Sequence, residues 1–127
     1  MIKVAALAFA SGMLLFAGPV SSADGEAIFK ACQSCHTVSP SDPPKFGPPL
    51  SGVVGRPCGS VQGYAYSDGY KAACEKSAIT WTEEEIHAYL DNPTKYLKSK
   101  GGGRSKMSFM LKGEAERNAV IEYLHKL

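Results

Sequence analysis

The sequence lacks the patterns that mark several protein classes. No stretch of alternating apolar and polar residues is long enough to build a sheet, no internal repeat recurs and no low-complexity tract appears. That leaves a single all-α domain as the expectation for 127 residues. The formal net charge is only +2, too small to indicate nucleic-acid binding or general attraction to membranes. Large apolar side chains are scarce beyond the first twenty positions, and 13 glycines and 8 prolines dilute the chain further. A small domain with so little core needs a staple: a disulfide, a metal or a cofactor.

The one long apolar run, residues 4–20, is shorter than the roughly 20 residues a membrane helix requires. It follows Met1-Ile2-Lys3 and precedes Ser21-Ser22-Ala23. A basic start, an apolar middle and a small-residue cleavage site read as a signal peptide over 1–23, with a domain over 24–127. An uncleaved membrane anchor is the competing reading, and either one puts the domain outside the cytoplasm. Removing Lys3 lowers the formal charge to +1.

Three to five helices with long loops are expected. Asp24 can cap a first helix reaching about His36, with Ile28, Phe29 and Cys32 on one face. Residues 37–63 hold most of the proline and glycine and read as loop. A short helix fits 67–76. Thr82 with Glu85 reads as a capping box opening a helix whose buried stripe is Ile86, Tyr89 and Leu90, and Pro93 ends it. Residues 98–106 read as a flexible stretch centred on Gly101-Gly102-Gly103. A last helix from about Lys112 presents Val120, Tyr123, Leu124 and Leu127 on one face.

Cys32-Gln33-Ser34-Cys35-His36 is a CxxCH motif. Two thiols at this spacing can each add across one haem vinyl group, and the following histidine is then placed to bind the iron. A thioredoxin-type pair needs a βαβ setting that this chain lacks. A zinc site needs a second close pair, whereas Cys58 and Cys74 have 15 residues between them. A plain disulfide leaves the histidine unexplained. For a second axial ligand, His87 and His125 read as surface residues. Met1 and Met13 fall in the signal segment, so Met107 and Met110 remain, a thioether being suited to ferrous iron. Met107 follows the glycine-rich stretch, which gives it reach; Met110 abuts the last helix.

Beyond the motif, the domain resembles the class I cytochromes c, cytochrome c2 and the mitochondrial type in particular, over nearly all of 24–127. The resemblance implies a cytochrome c fold wrapped around one covalent haem c. Gly25 and Phe29 resemble the family's contacts between first and last helices, with Val120 and Tyr123 as partners. Phe46-Gly47-Pro48-Pro49-Leu50 resembles the loop in which the carbonyl of Pro48 accepts the Nδ1 proton of His36. Gly55-Arg56 and Gly63-Tyr64-Ala65-Tyr66 resemble the segment around the propionates, with Arg56, Tyr66 and Trp81 as donors to those carboxylates. Tyr89 falls where the family has a tyrosine near the methionine sulfur. Lys106-Met107-Ser108-Phe109 resembles the methionine loop, making Met107 rather than Met110 the implied partner of His36.

The chain departs from the mitochondrial pattern twice. Extra residues between Tyr96 and Met107, including the triple glycine, are expected to raise loop entropy and weaken the hold on Met107. Cys58 and Cys74 are expected to be bridged in an oxidising compartment, at a chain-entropy gain of about 3 kcal/mol.

Together these readings imply a periplasmic electron carrier, with no enzymatic chemistry and no tendency beyond a monomer. Lys95, Lys98, Lys100, Lys106 and Lys112, with no acid among the residues between Pro93 and Lys112, would steer it to acidic partners. The resemblance implies the bc1 complex as donor and a terminal oxidase or reaction centre as acceptor. The alternatives are a haem subunit of a periplasmic dehydrogenase and a small peroxidase or gas-binding protein.

Overall fold

A computed structural model describes Gly12 and residues 22–127; the expected signal peptide lies almost wholly outside the described residues. Among them are five helices: α1 (Ser22–Cys32), α2 (Asp68–Ser77), α3 (Glu83–Asp91), α4 (Pro93–Ser99) and α5 (Glu114–Leu124). No strand occurs among the described residues, only an isolated antiparallel bridge between Pro57 and Thr80, and the all-α expectation holds. No described helix is long and apolar enough to cross a membrane.

The terminal helices form the frame. Gly25 on α1 is buried, and a Cβ there would lie 2.1 Å from the carbonyl oxygen of Ala119 on α5. Its lack of a side chain is what lets the two backbones meet. Phe29, 1% exposed, packs its ring against that of Tyr123, centroids 5.1 Å apart and planes tilted by 48°. The small-residue crossing was legible in the sequence, with Tyr123 as a partner; the backbone of Ala119 is the closer neighbour. α1 is shorter than expected. After Cys32 the chain tightens into a turn in which the amides of Cys35 and His36 both donate to the carbonyl of Cys32, at 3.1 and 2.9 Å.

The middle helices start where short polar side chains cap them. Ser67 Oγ accepts from the Tyr70 amide at 3.2 Å, and Thr82 Oγ1 from the Glu85 amide at 3.3 Å. The capping box at α3 is only half made. Glu85 does not return to Thr82; its carboxylate accepts from Tyr96 Oη (2.5 Å) and Lys100 Nζ (2.9 Å) on the α4 side. Pro93 ends α3 as expected, but it also opens α4. Proline suits the first turn because that amide needs no partner, and Asn92 Oδ1 caps it by accepting from Lys95 at 3.0 Å.

The glycine-rich stretch is not the slack tether that its composition implies. Gly102 N–H donates to Leu97 O (2.8 Å) and Gly103 N–H to Gly69 O (3.2 Å), which lays the segment against α2. The segment 55–58 pairs back to back with 79–81: Gly55 N–H to Trp81 O (2.8 Å), Trp81 N–H to Arg56 O (2.9 Å) and Cys58 N–H to Ile79 O (2.9 Å). Cys58 and Cys74 form the expected disulfide, with Cα atoms 5.4 Å apart.

Two predictions follow from this frame. Gly25→Ala should cost about 1–3 kcal/mol by forcing α1 away from α5, read as a lowered thermal midpoint; an unchanged midpoint would contradict the crossing. The Tyr96 hydroxyl, aided by Lys100, holds the Glu85 carboxyl below its ordinary range. A depressed carboxyl stabilises the fold above its unfolded-state value and loses that stabilisation as pH falls through the folded one. Glu85→Gln should therefore destabilise by about 1 kcal/mol at neutral pH and by progressively less in acid, measured by denaturant unfolding at both.

Candidate haem site

One cleft collects the chemistry. All nine residues expected at the site line it: Cys32, Cys35 and His36 from the end of α1, Pro48 and Arg56 from the long loop, Tyr66, Trp81 and Tyr89 from the middle of the chain, and Met107 from the loop before α5. Met110 does not line it and is 49% exposed, whereas Met107 is half-buried. His87 and His125 also lie elsewhere: Arg117 Nε donates to His87 Nε2 at 3.4 Å, and His125 contacts Glu83.

The wall at the end of α1 holds an imidazole in one orientation. His36 Nδ1 lies 2.7 Å from the carbonyl oxygen of Pro48. A carbonyl can only accept, so the proton sits on Nδ1 and Nε2 keeps its lone pair. Burial lowers the His36 pKa, against a smaller opposing effect of that hydrogen bond, so the ring is neutral as ligation requires. Gly47, buried beside it, was not singled out in the sequence. A Cβ there would lie 2.4 Å from Cε1 of His36, so any side chain would displace the ring. Its amide donates to Cys35 O at 2.7 Å, fastening the loop to the motif. Cys32 and Cys35 are free thiols while Cys58 and Cys74 are bonded to each other. Burial raises the Cys32 thiol above its ordinary value.

The polar wall differs from expectation in its connections. The Trp81 indole N–H donates to Tyr70 Oη at 3.0 Å, so the donor expected for a buried carboxylate is engaged by a tyrosine that the sequence reading passed over. Tyr70 lines the same cleft, stacks on Tyr66 (centroids 4.9 Å apart, planes 11° apart) and retains its own hydroxyl proton for a further acceptor. Burial pushes the Tyr70 hydroxyl well above the ordinary phenol range, so it stays a donor. Tyr66 Oη accepts from the Val61 amide at 3.1 Å. Arg56 uses Nη1 on Pro49 O (2.9 Å) and Nη2 on Ser51 O (2.6 Å), which braces the loop carrying Pro48. The spacing of Tyr66 and Tyr70, one helical turn apart around a Ser67 cap, was the signal available for Tyr70.

Tyr89 reaches the methionine loop through a residue that sequence reasoning also missed. Its hydroxyl pairs with Ser105 Oγ at 2.8 Å, and the same Oγ accepts from the Met107 amide at 3.0 Å. Ser105 is buried, and its amide donates to Thr94 Oγ1 at 3.1 Å. Of the five lysines expected at the docking surface, only Lys106 lines the cleft. Its Nζ donates to Ala65 O at 3.1 Å and lies over the rings of Phe46 and Tyr64 at 5.1 and 5.2 Å. Lys100 pairs with Glu85 and Lys112 with Asp91 (3.4 Å), and Lys95 and Lys98 are exposed.

The donor set fits a covalently attached haem. Two free thiols stand at the required spacing, an oriented imidazole presents a bare Nε2, a thioether lines the same cleft, and phenol and guanidinium donors can meet buried carboxylates. The other uses of a CxxC pair find no support: Cys58 and Cys74 are committed to each other, and no cluster of three or more His, Cys, Asp or Glu suited to a metal ion occurs among the described residues.

Comparison with known proteins agrees with this geometry. The cytochrome c family model matches residues 22–127. Cytochrome c2 of Pararhodospirillum photometricum is 42% identical over 110 residues, covering 84% of this chain and 96% of that protein. Cytochrome c2 of Rhodospirillum rubrum is 39% identical over 126 residues, covering 97% of this chain and 91% of that one. The solved structure of cytochrome c2 from Rhodospirillum centenum superimposes with a TM-score of 0.76 at 38% identity, covering 84% of this chain and 98% of that chain. The chain belongs to the cytochrome c family, haem-based electron-transfer proteins that carry one covalently attached haem c.

Proposed function

We propose that this chain is a periplasmic one-electron shuttle, with 1–23 a cleaved signal peptide and 24–127 the carrier domain. The observation that carries the reading is the cleft itself, where His36, its Nδ1 proton tied to Pro48, and Met107 are brought together. His36 and Met107 would together hold the iron of a bound haem and leave no place on it for substrate. Bound haem supplies a one-electron ferric/ferrous couple. The chain does the rest. Cys32 and Cys35 would hold the group through thioethers, and Pro48 orients His36. Arg56, Tyr66 and Tyr70 would face its carboxylates, with Trp81 backing Tyr70 and Tyr89 steadying the Met107 loop through Ser105. A nearly saturated hydrogen-bond network of this kind changes little when the charge at its centre changes by one, which favours fast transfer.

Docking would centre on the mouth of the cleft. Phe46 and Phe109, 58% and 41% exposed, give an apolar contact there, and Lys106 lies over Phe46. Acidic surfaces on a bc1 complex as donor and on a terminal oxidase or reaction centre as acceptor suit this arrangement. Lys95, Lys98, Lys100 and Lys112 would add a longer-range field rather than direct contacts. The likeness to Rhodospirillum rubrum cytochrome c2 over 126 residues extends into the segment read as the signal peptide, which supports export.

Carbon monoxide tests the saturated iron. The reduced protein should keep its spectrum under the gas at neutral pH; rapid binding would instead indicate a gas-binding or peroxidase site. Docking is tested by transfer rates to an acidic redox partner. Lys106→Glu should slow transfer about fivefold at low ionic strength, with the difference shrinking at high salt, while Lys95→Glu should change it less than about twofold. Equal effects of the two substitutions would place the contact away from the cleft.

A further inference from the structure

The residues inserted ahead of Met107 pack backbone to backbone on α2. A Cβ on Gly102 would lie 2.2 Å from Gly69 O and 2.7 Å from Ala73 Cβ, and a Cβ on Gly69 would lie 2.9 Å from the backbone of Gly103. Of the three glycines only Gly101 has a positive φ, +85°. Gly102, and Gly69 where it faces Gly103, are therefore glycine for close approach and not for conformational freedom. Side chains of α2 close the same contact: Lys76 Nζ donates to Gly101 O at 3.0 Å and Ser77 Oγ to Lys100 O at 2.8 Å. α2 is in turn fixed to the far side of the cleft, because Cys74 on it is bonded to Cys58, two positions after Arg56. Toward Met107 the chain is caught again at Ser105, by Tyr89 and Thr94.

We propose that α2 is the seat of the methionine loop. Gly69 and Ala73 receive Gly102–Gly103, the Cys58–Cys74 disulfide keeps the seat in place, and the firmness with which Met107 is held is set from α2, several residues away from the ligand itself. The inference rests on the reading that Met107 is an axial ligand. Any excursion that takes Met107 out of the cleft must draw on the slack of residues 100–106, and each contact with α2 removes slack. Gly69, Ser77 and the disulfide are thus positioning groups for Met107, and an insertion that composition alone reads as loosening the ligand instead anchors it.

Imidazole binding to the ferric holoprotein reads this directly, since imidazole can enter only where Met107 has left. Ser77→Ala, the mildest change, should tighten imidazole binding about threefold, about what one lost hydrogen bond at an exposed site allows. Gly102→Ala and the double replacement Cys58→Ala/Cys74→Ala should each tighten it about tenfold or more. Ile121→Val, in the core away from α2 and from the cleft, should lower the thermal midpoint and leave imidazole affinity unchanged. Met107→Ala should bind imidazole more tightly than every one of these. If it binds no tighter than wild type, Met107 is not the ligand, and the inference falls with that reading. If Met107→Ala binds tightly while the α2 variants match wild type within about twofold, the ligand stands and the seat is wrong. A rise in Ile121→Val equal to that of the α2 variants would mean general loosening, and would also overturn it.

Discussion

The hydrogen bond from His36 Nδ1 to the carbonyl of Pro48, 2.7 Å long, is the constraint on which the rest of the site depends. It fixes the tautomer, leaves Nε2 as a donor of electron density, and makes the loop after the CxxCH motif as important as the motif. Everything around it serves that contact. Gly47 clears space for the ring, its amide pins the loop to Cys35, and Arg56 braces the next turn through Pro49 and Ser51. Arg56 is thus both a wall of the cleft and a strut of the loop that orients the imidazole.

The helices exist to close this arrangement. The α1–α5 crossing at Gly25 carries the motif to its place, and the pairing of 55–58 with 79–81 brings Arg56 and Trp81 into one wall. On the other side the Tyr89–Ser105–Met107 connection ties α3 to the methionine loop. Polar groups in the cleft come in linked pairs, Trp81 with Tyr70 and Tyr89 with Ser105, and few buried donors are left to reorganise when an electron arrives.

Much of this was legible in the sequence because the informative residues are chemically rare. CxxCH, the prolines and glycines of 37–63, the Thr82 cap and the single tryptophan each point one way, and all nine expected site residues share the cleft. What escaped was set by tertiary contact. Glu85 has the spacing of a capping box, but Tyr96 and Lys100 offer its carboxylate better partners. Pro93 marks an end in the local pattern, although a proline that stops one helix is equally suited to begin the next. A run of glycines signals freedom or close approach with the same letters, and only the position of α2 decides between them. Ser105 acts through Tyr89 and Tyr70 through Trp81, partners on other elements, and Gly47 acts through an absent side chain, none of which the local pattern specifies.

The central claim is that His36 and Met107 would together hold the iron of a single covalent haem. The far-red absorption band of ferric, methionine-ligated haem, measured in wild type, Met107→Ala and Met110→Ala, tests it most directly. The band should be present in wild type, absent in Met107→Ala and retained in Met110→Ala. A wild-type protein without the band, or one that loses it with Met110 and keeps it without Met107, would contradict the account.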